Sequence, residues 1–132
     1  MGSKNRVAKE LLLIILKDRK DGQYYVEPFA GGMNMIDKVD GNRIANDIHT
    51  ELIEMWKALV YGNWHPPLGV SEEEYKNAKT NKTKISKVLK GYIGFNSFGA
   101  KWFAGYPRSK QGKRDYWREY YNNIMKQAPS LK

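Results

Sequence analysis

Gln23-Tyr24-Tyr25-Val26-Glu27-Pro28-Phe29-Ala30-Gly31-Gly32-Met33 is the stretch whose reading decides the fold. Its first four residues, rich in β-formers, read as a buried strand, and Glu27-Pro28 ends the run because proline has no N–H to offer a ladder. Phe29 to Met33 then reads as a glycine turn that leads into a short helix around Asn34 to Val39. Asp40-Gly41 marks a second turn, and Arg43-Ile44-Ala45-Asn46 a second short strand. After Asp47, Leu52, Met55, Trp56 and Leu59 recur at helical spacing, which predicts a helix from Thr50 to Tyr61 that stops at Gly62. Upstream, Ser3 is placed to cap a helix of about fifteen residues, with Val7, Leu11, Ile14 and Ile15 on its apolar face and Asp21-Gly22 as its stop.

Downstream of Gly62 the pattern changes. Pro66-Pro67 marks a rigid loop, and Ser71-Glu72-Glu73-Glu74 is a capping box. Ile85, Val88, Leu89, Tyr92 and Ile93 form the stripe of a helix over Thr83 to Ile93. Gly94, Gly99 and Gly105 punctuate an aromatic loop, and Tyr116, Trp117, Tyr120, Tyr121 and Ile124 line a last helix over Lys113 to Gln127. The order helix, strand, glycine turn, helix, strand, helix is the opening of an α/β Rossmann-like unit. With 132 residues there is room for one core. The expectation is therefore a partial Rossmann-like domain with two core strands and additional helices in its C-terminal half. Residues 1–70 form the ligand-binding half, residues 71–132 a basic, aromatic-rich helical segment, and the two make one compact unit.

Composition narrows the function. There is no cysteine, which excludes disulfides, thiolate metal sites and a cysteine nucleophile, and with only two histidines no metal is expected. The longest apolar run, Leu11 to Leu16, is too short to span a membrane and is followed by Lys17-Asp18-Arg19-Lys20, so neither a membrane span nor a secretory signal is expected. A soluble protein of the cytoplasm is the corresponding expectation. The net charge of +9 is unevenly distributed: residues 1–75 carry 9 basic and 12 acidic side chains, residues 76–132 carry 14 and 2. Ten of the 17 aromatics lie between Tyr92 and Tyr121. Cations neutralise phosphates and aromatic faces stack on unpaired bases, so this interleaving suits nucleic acid or a nucleoprotein. The candidate contacts are Lys101, Trp102, Tyr106, Arg108, Lys110, Lys113 and Arg114. A solvated basic face over an aromatic core is the plainer reading of the same pattern.

The chemistry sits in the glycine turn. Glycines let a ligand approach the backbone, and the free amides beyond them favour an anionic group. Asp47, at the end of the second strand, is where a Rossmann-like site places a carboxylate for ribose hydroxyls. It is equally placed to cap the next helix.

Tyr25 to Gly32 closely resembles the cofactor motif of DNA N6-adenine methyltransferases of the deoxyadenosine-methylase type. Met1-Gly2-Ser3-Lys4-Asn5-Arg6 is similar to that family's N-terminal motif, and Ala45-Asn46-Asp47-Ile48 with Glu51-Leu52-Ile53 to its second motif. Gly94 to Tyr106 resembles the start of its target-recognition region. The resemblance implies S-adenosylmethionine as cofactor, surrounded by Lys4, Glu27, Phe29, Gly31, Gly32 and Asp47. Phe29 is either such a contact or a core residue under the turn, and Lys4 either a contact or an exposed first-turn lysine.

The family's (Asp/Asn)-Pro-Pro-(Tyr/Phe/Trp) motif, which holds the flipped adenine, has no counterpart here. The single Pro-Pro pair is preceded by His65 and followed by Leu68. No catalytic residue is therefore assigned, and the chain alone is not expected to methylate DNA. The strand over Gln23 to Val26, paired on both sides in the family, has one evident partner, which leaves an edge for the C-terminal aromatic helix to fold back onto, or for a second copy or a complementary chain. A homodimer or a tight heteromeric partner is expected. One expected function is binding of nucleic acid or a nucleic-acid-processing complex, as in a phage or mobile-element inhibitor of a host restriction or CRISPR nuclease. The alternative is the N-terminal half of a split or truncated methyltransferase, and a decayed gene product is a third reading. An acidic DNA mimic is excluded by the charge.

Overall fold

The computed structural model describes residues 6–98, 101–109 and 111–132. Five α-helices and a two-stranded sheet are seen among them: α1 (Ala8–Ile15), β1 (Tyr25–Glu27), β2 (Arg43–Ala45), α2 (Thr50–Val60), α3 (Glu72–Thr80), α4 (Lys87–Phe95) and α5 (Tyr116–Gln127). Single 3-10 turns lie at Ile36–Lys38, between the strands, and at Ala128–Leu131, after α5. The strands are parallel, with Tyr25 opposite Arg43, Val26 opposite Ile44 and Glu27 opposite Ala45. This is the mixed helix-and-strand architecture expected, but β1 starts two residues later than its signal and runs through Glu27, and β2 is one residue shorter. Tyr24 and Val26 are exposed rather than buried, and the expected helix over Asn34 to Val39 is a single 3-10 turn.

Two arginines set that register. The Arg19 guanidinium donates to the carbonyl oxygens of Gln23, Asp40 and Asn42 at 2.8–3.2 Å, clipping the entrance of β1 to the entrance of β2. Arg43 donates to the carbonyls of Ile36 and Val39, both at 2.8 Å, and to that of Ser130 at 2.6 Å. The end of the chain is thereby tied to the sheet.

The first helix buries a different face from the one its sequence suggested. Ala8 and Leu12 are buried and Leu16 is half-buried, whereas Val7, Leu11, Ile14 and Ile15 are exposed. The run Ala8 to Ile15 is apolar on nearly every side, so periodicity does not choose a face. The i, i+4, i+8 line carrying small Ala8 is the one that packs closest. The helix begins at Ala8 with Val7 as its cap, and the expected Ser3 cap lies outside the described residues. The later helices follow their signals more closely. Ser71 and Glu74 form the reciprocal capping box, and Ser86 and Asp115 cap α4 and α5 through their side chains. The last two helices start four and three residues later than the spans expected for them. Pro66-Pro67 lies in the irregular connection between α2 and α3.

The most extensive contact between elements is the crossing of α2 and α4. Gly91 makes it possible: a Cβ there would lie 2.2 Å from the backbone oxygen of Glu51. Around this crossing Leu52, Met55, Tyr92 and Ile93 are almost fully buried. The core then continues through an aromatic chain. Tyr75 packs on Phe103 and Tyr106, Tyr106 on Trp117, and Trp117 on Tyr92, with ring centroids 5.5–6.1 Å apart. The Tyr75 and Ser97 hydroxyls hydrogen-bond at 3.0 Å, and the Tyr106 hydroxyl donates to the carbonyl of Val70 at 2.5 Å. Among the described residues, the buried Tyr92 hydroxyl and Trp117 indole N–H have no partner.

The crossing yields a paired expectation. Gly91→Ala must push α2 and α4 apart and is expected to cost more than about 2 kcal/mol. Tyr92→Phe keeps the ring and removes an unpaired buried hydroxyl, so it is expected to leave stability unchanged or raise it by up to about 1 kcal/mol. Urea denaturation of the two variants beside the parent checks both directions.

Candidate functional site

The glycine turn lies at the carboxyl ends of the two parallel strands, the end at which open α/β sheets bind ligands. It is fixed almost peptide by peptide. Ala30 N–H donates to the Asn46 carbonyl at 2.8 Å, which holds the turn to the end of β2, and Met33 N–H closes it on the Ala30 carbonyl at 2.8 Å. Gly31 N–H donates to Asp47 Oδ2 at 3.0 Å, and the Gly31 carbonyl accepts from the Trp56 indole at 3.1 Å. The Gly32 carbonyl accepts from Gln127 Nε2 at 2.8 Å. Among the described residues, no acceptor meets the Gly32 N–H, a donor of the turn left without a partner.

The turn needs glycine at 31, where φ is 50° and a Cβ would meet open space. The constraint is thus the backbone angle rather than crowding. Met33 also lies in the left-handed region, at φ 60°.

Asp47 does two jobs. Its Oδ2 takes the Gly31 amide, and its Oδ1 takes the His49 amide at 3.0 Å, where the chain enters α2. One carboxylate so fixes the glycine turn to the start of the next helix. It retains lone pairs, because a carboxylate offers about four acceptor sites. Glu27, at the end of β1, is buried and accepts from the Tyr25 hydroxyl at 3.3 Å. Burial, then the nearby Glu27 charge and that hydrogen bond, push the Tyr25 hydroxyl up to about 12. Phe29 is 70% exposed, so it is not a core residue under the turn. Lys4 lies outside the described residues. Glu27, Phe29, Gly31, Gly32 and Asp47 thus gather at one end of the sheet: two carboxylates, an exposed ring and an open amide.

The other set is divided in its use. Lys101 and Lys113 are exposed. Arg108 is exposed but paired with Glu72, whose carboxyl it holds below the usual range. Arg114 binds Glu119 at 2.8 Å and 3.0 Å and lies over the Tyr116 ring at 4.7 Å. Trp102 stacks on His49 with ring centroids 4.7 Å apart, and Tyr106 is engaged in the core. Lys110 lies outside the described residues. Among the described residues, no group of three or more His, Cys, Asp or Glu side chains could hold a metal ion, and no helix is long and apolar enough to cross a membrane.

Two participants had no sequence signal. Trp56 reads as a core residue of α2 and is buried, yet its N–H is spent on the turn. Gln127 lies 95 residues from Gly32 and carried no motif.

Comparison with known families now decides the affiliation. Residues 1–87 match the model of the D12 class N6 adenine-specific DNA methyltransferases. The chain belongs to that family. The matched residues hold both strands, the glycine turn, Glu27 and Asp47, and end at the start of α4. No solved structure matches the chain.

Two outcomes are expected from the turn. Asp47→Ala leaves two backbone amides without acceptors and should cost about 1–3 kcal/mol in denaturant unfolding, before any ligand is added. The Tyr25 hydroxyl has a higher pKa folded than unfolded, so it favours folding fully below pH 10, and that contribution disappears as pH rises through about 12. A stability profile across that alkaline window should therefore fall less steeply in Tyr25→Phe than in the parent.

Proposed function

We propose that this chain binds S-adenosylmethionine and is the cofactor-binding portion of a DNA N6-adenine methyltransferase on a Rossmann-like frame. The observation that carries the reading is the glycine turn at the carboxyl ends of two parallel strands, flanked by Glu27 and Asp47, with the Gly32 amide open. The residues fit the cofactor chemically. The Gly32 N–H suits its carboxylate, Glu27 its ammonium and Asp47 its ribose, while the exposed Phe29 ring can cover its adenine or sulfonium. When bound, the cofactor supplies an electrophilic methyl group, and this chain's residues bind and orient it.

The acceptor half of the chemistry is not in these 132 residues, which contain no (Asp/Asn)-Pro-Pro-(aromatic) sequence. Transfer therefore requires that element from residues outside them, in a continuous or a separate chain. β1 offers a place for it, since it pairs with β2 alone among the described residues. Val26 and Ile44, opposite each other in the register, are 57% and 49% exposed on the face away from Tyr25 and Glu27. Parallel sheets are ordinarily covered on both faces, so this side also suits an added layer. The DNA substrate would meet the exposed Lys101 and Lys113, whereas Arg108 and Arg114 already face Glu72 and Glu119. The family affiliation favours this reading over a stand-alone inhibitor of a host nuclease, for which the fold offers no specific support.

Calorimetric titration with S-adenosylmethionine tests the reading. Saturable binding by the 132-residue chain is expected, with methylation of DNA appearing only when a polypeptide carrying the missing motif is added. Absence of binding, together with absence of methylation in the mixture, overturns it.

A further inference from the structure

Resting on that cofactor reading, we infer that Gln127, at the far end of α5, is a positioning residue for the glycine turn. The turn runs against the preference of one of its residues: Met33 carries a side chain yet sits at φ 60°. A non-glycine residue stays in the left-handed region only where its surroundings hold it there. Two side chains bracket Gly32 from either side along the backbone. Trp56 grips the oxygen of the Gly31–Gly32 peptide at 3.1 Å, and Gln127 grips that of the Gly32–Met33 peptide at 2.8 Å. The first of these peptides carries the open Gly32 N–H, and the second leads into Met33. Fixing both planes fixes the direction in which the amide points.

The chemistry of the contact requires a donor. Gln127 Nε2 also donates to Asp37 Oδ2 at 3.0 Å, so both hydrogens of one nitrogen are used, one on a carbonyl and one on a carboxylate. Both partners can only accept, which settles the orientation of the amide: its nitrogen faces them, and its oxygen would be repelled. Asp37 is itself anchored by a 3.1 Å ion pair with Lys38 and stands in the 3-10 turn that follows the glycine turn. Gln127 therefore joins the turn, the segment after it and the end of α5. It does so from a helix whose opening turns carry Arg114's partner Glu119 and the exposed Arg118.

Two substitutions separate donation from packing. Gln127→Met keeps length and helix preference but has no donor, whereas Gln127→Lys changes shape and keeps a donor. Each variant and the parent are titrated with S-adenosylmethionine, and amide hydrogen exchange is followed at Met33 in the ligand-free proteins, with Tyr75 in α3 as a distant control. The expected result is that Gln127→Met weakens binding about tenfold and speeds Met33 exchange about tenfold, the size of the one hydrogen bond lost on the Gly32 carbonyl, with Tyr75 unchanged. Gln127→Lys should restore both. The opposite order, or parent-like binding and exchange in Gln127→Met, overturns the inference. If the parent itself fails to bind the cofactor, the cofactor reading falls, and Met33 exchange alone then decides whether Gln127 holds the turn.

Discussion

The approach of α4 to α2 at Gly91 is the constraint on which the rest of the structure depends. With the Glu51 backbone oxygen 2.2 Å from where a Cβ would stand, the two helices pack main chain against main chain. That distance determines where the side chains of both helices point. From α2, Trp56 reaches the Gly31 carbonyl, and from α4, Phe95 meets the Trp56 ring edge-on at 6.1 Å. The same helix pair holds Tyr92 and Ile93 in the centre of the core, from which the aromatic chain spreads to α3 and α5. The site is therefore not an independent loop placed on a scaffold. Its backbone is held by the side chains that the packing of the helices aims at it.

Polar side chains do much of this work by donating to backbone carbonyls. Arg19 and Arg43 between them satisfy carbonyls of the β1 entrance, the segment before β2, the 3-10 turn and the chain's last residues. A guanidinium has five donors in a fixed plane, so one side chain can close several loops whose carbonyls lack partners. A sheet of two three-residue strands has few ladder bonds of its own. Such side-chain clips supply what a longer ladder would otherwise provide, and they use basic residues that composition alone would assign to solvent or to phosphates. The same applies to Arg108 and Arg114, each already facing a carboxylate.

Asp47, proposed above as a ribose contact, already has a folding role. Its two oxygens hold the amides of Gly31 and His49, so the turn is organised before any ligand arrives. Preorganisation of this kind lowers the cost of binding, because the donor direction is fixed in the free protein. Removal of the Asp47 carboxylate therefore has a folding consequence of its own, which is why the unliganded stability of that variant matters.

Local chemistry was legible in the sequence. The strand formers before Glu27-Pro28, the Gly31-Gly32 turn, the Ser71–Glu74 capping box and the stripes of α2, α4 and α5 all act within a few residues, where periodicity and turn preference carry the information. The affiliation was legible for the same reason, since its motifs are contiguous. The face of α1 was not, because its run from Leu11 to Ile15 is apolar without a break and leaves the choice to whichever residues fit, and Ala8 and Leu12 did. Nor were Arg19 on the carbonyls of Asp40 and Asn42, Trp56 on Gly31, or Gln127 on Gly32. Each joins residues 21 to 95 positions apart, and a hydrogen bond of that reach leaves no spacing pattern in the chain. The sequence by itself determined which segments become strand, turn and helix. Only the tertiary structure decided which donors hold the turn, because that depends on where packing brings distant side chains together.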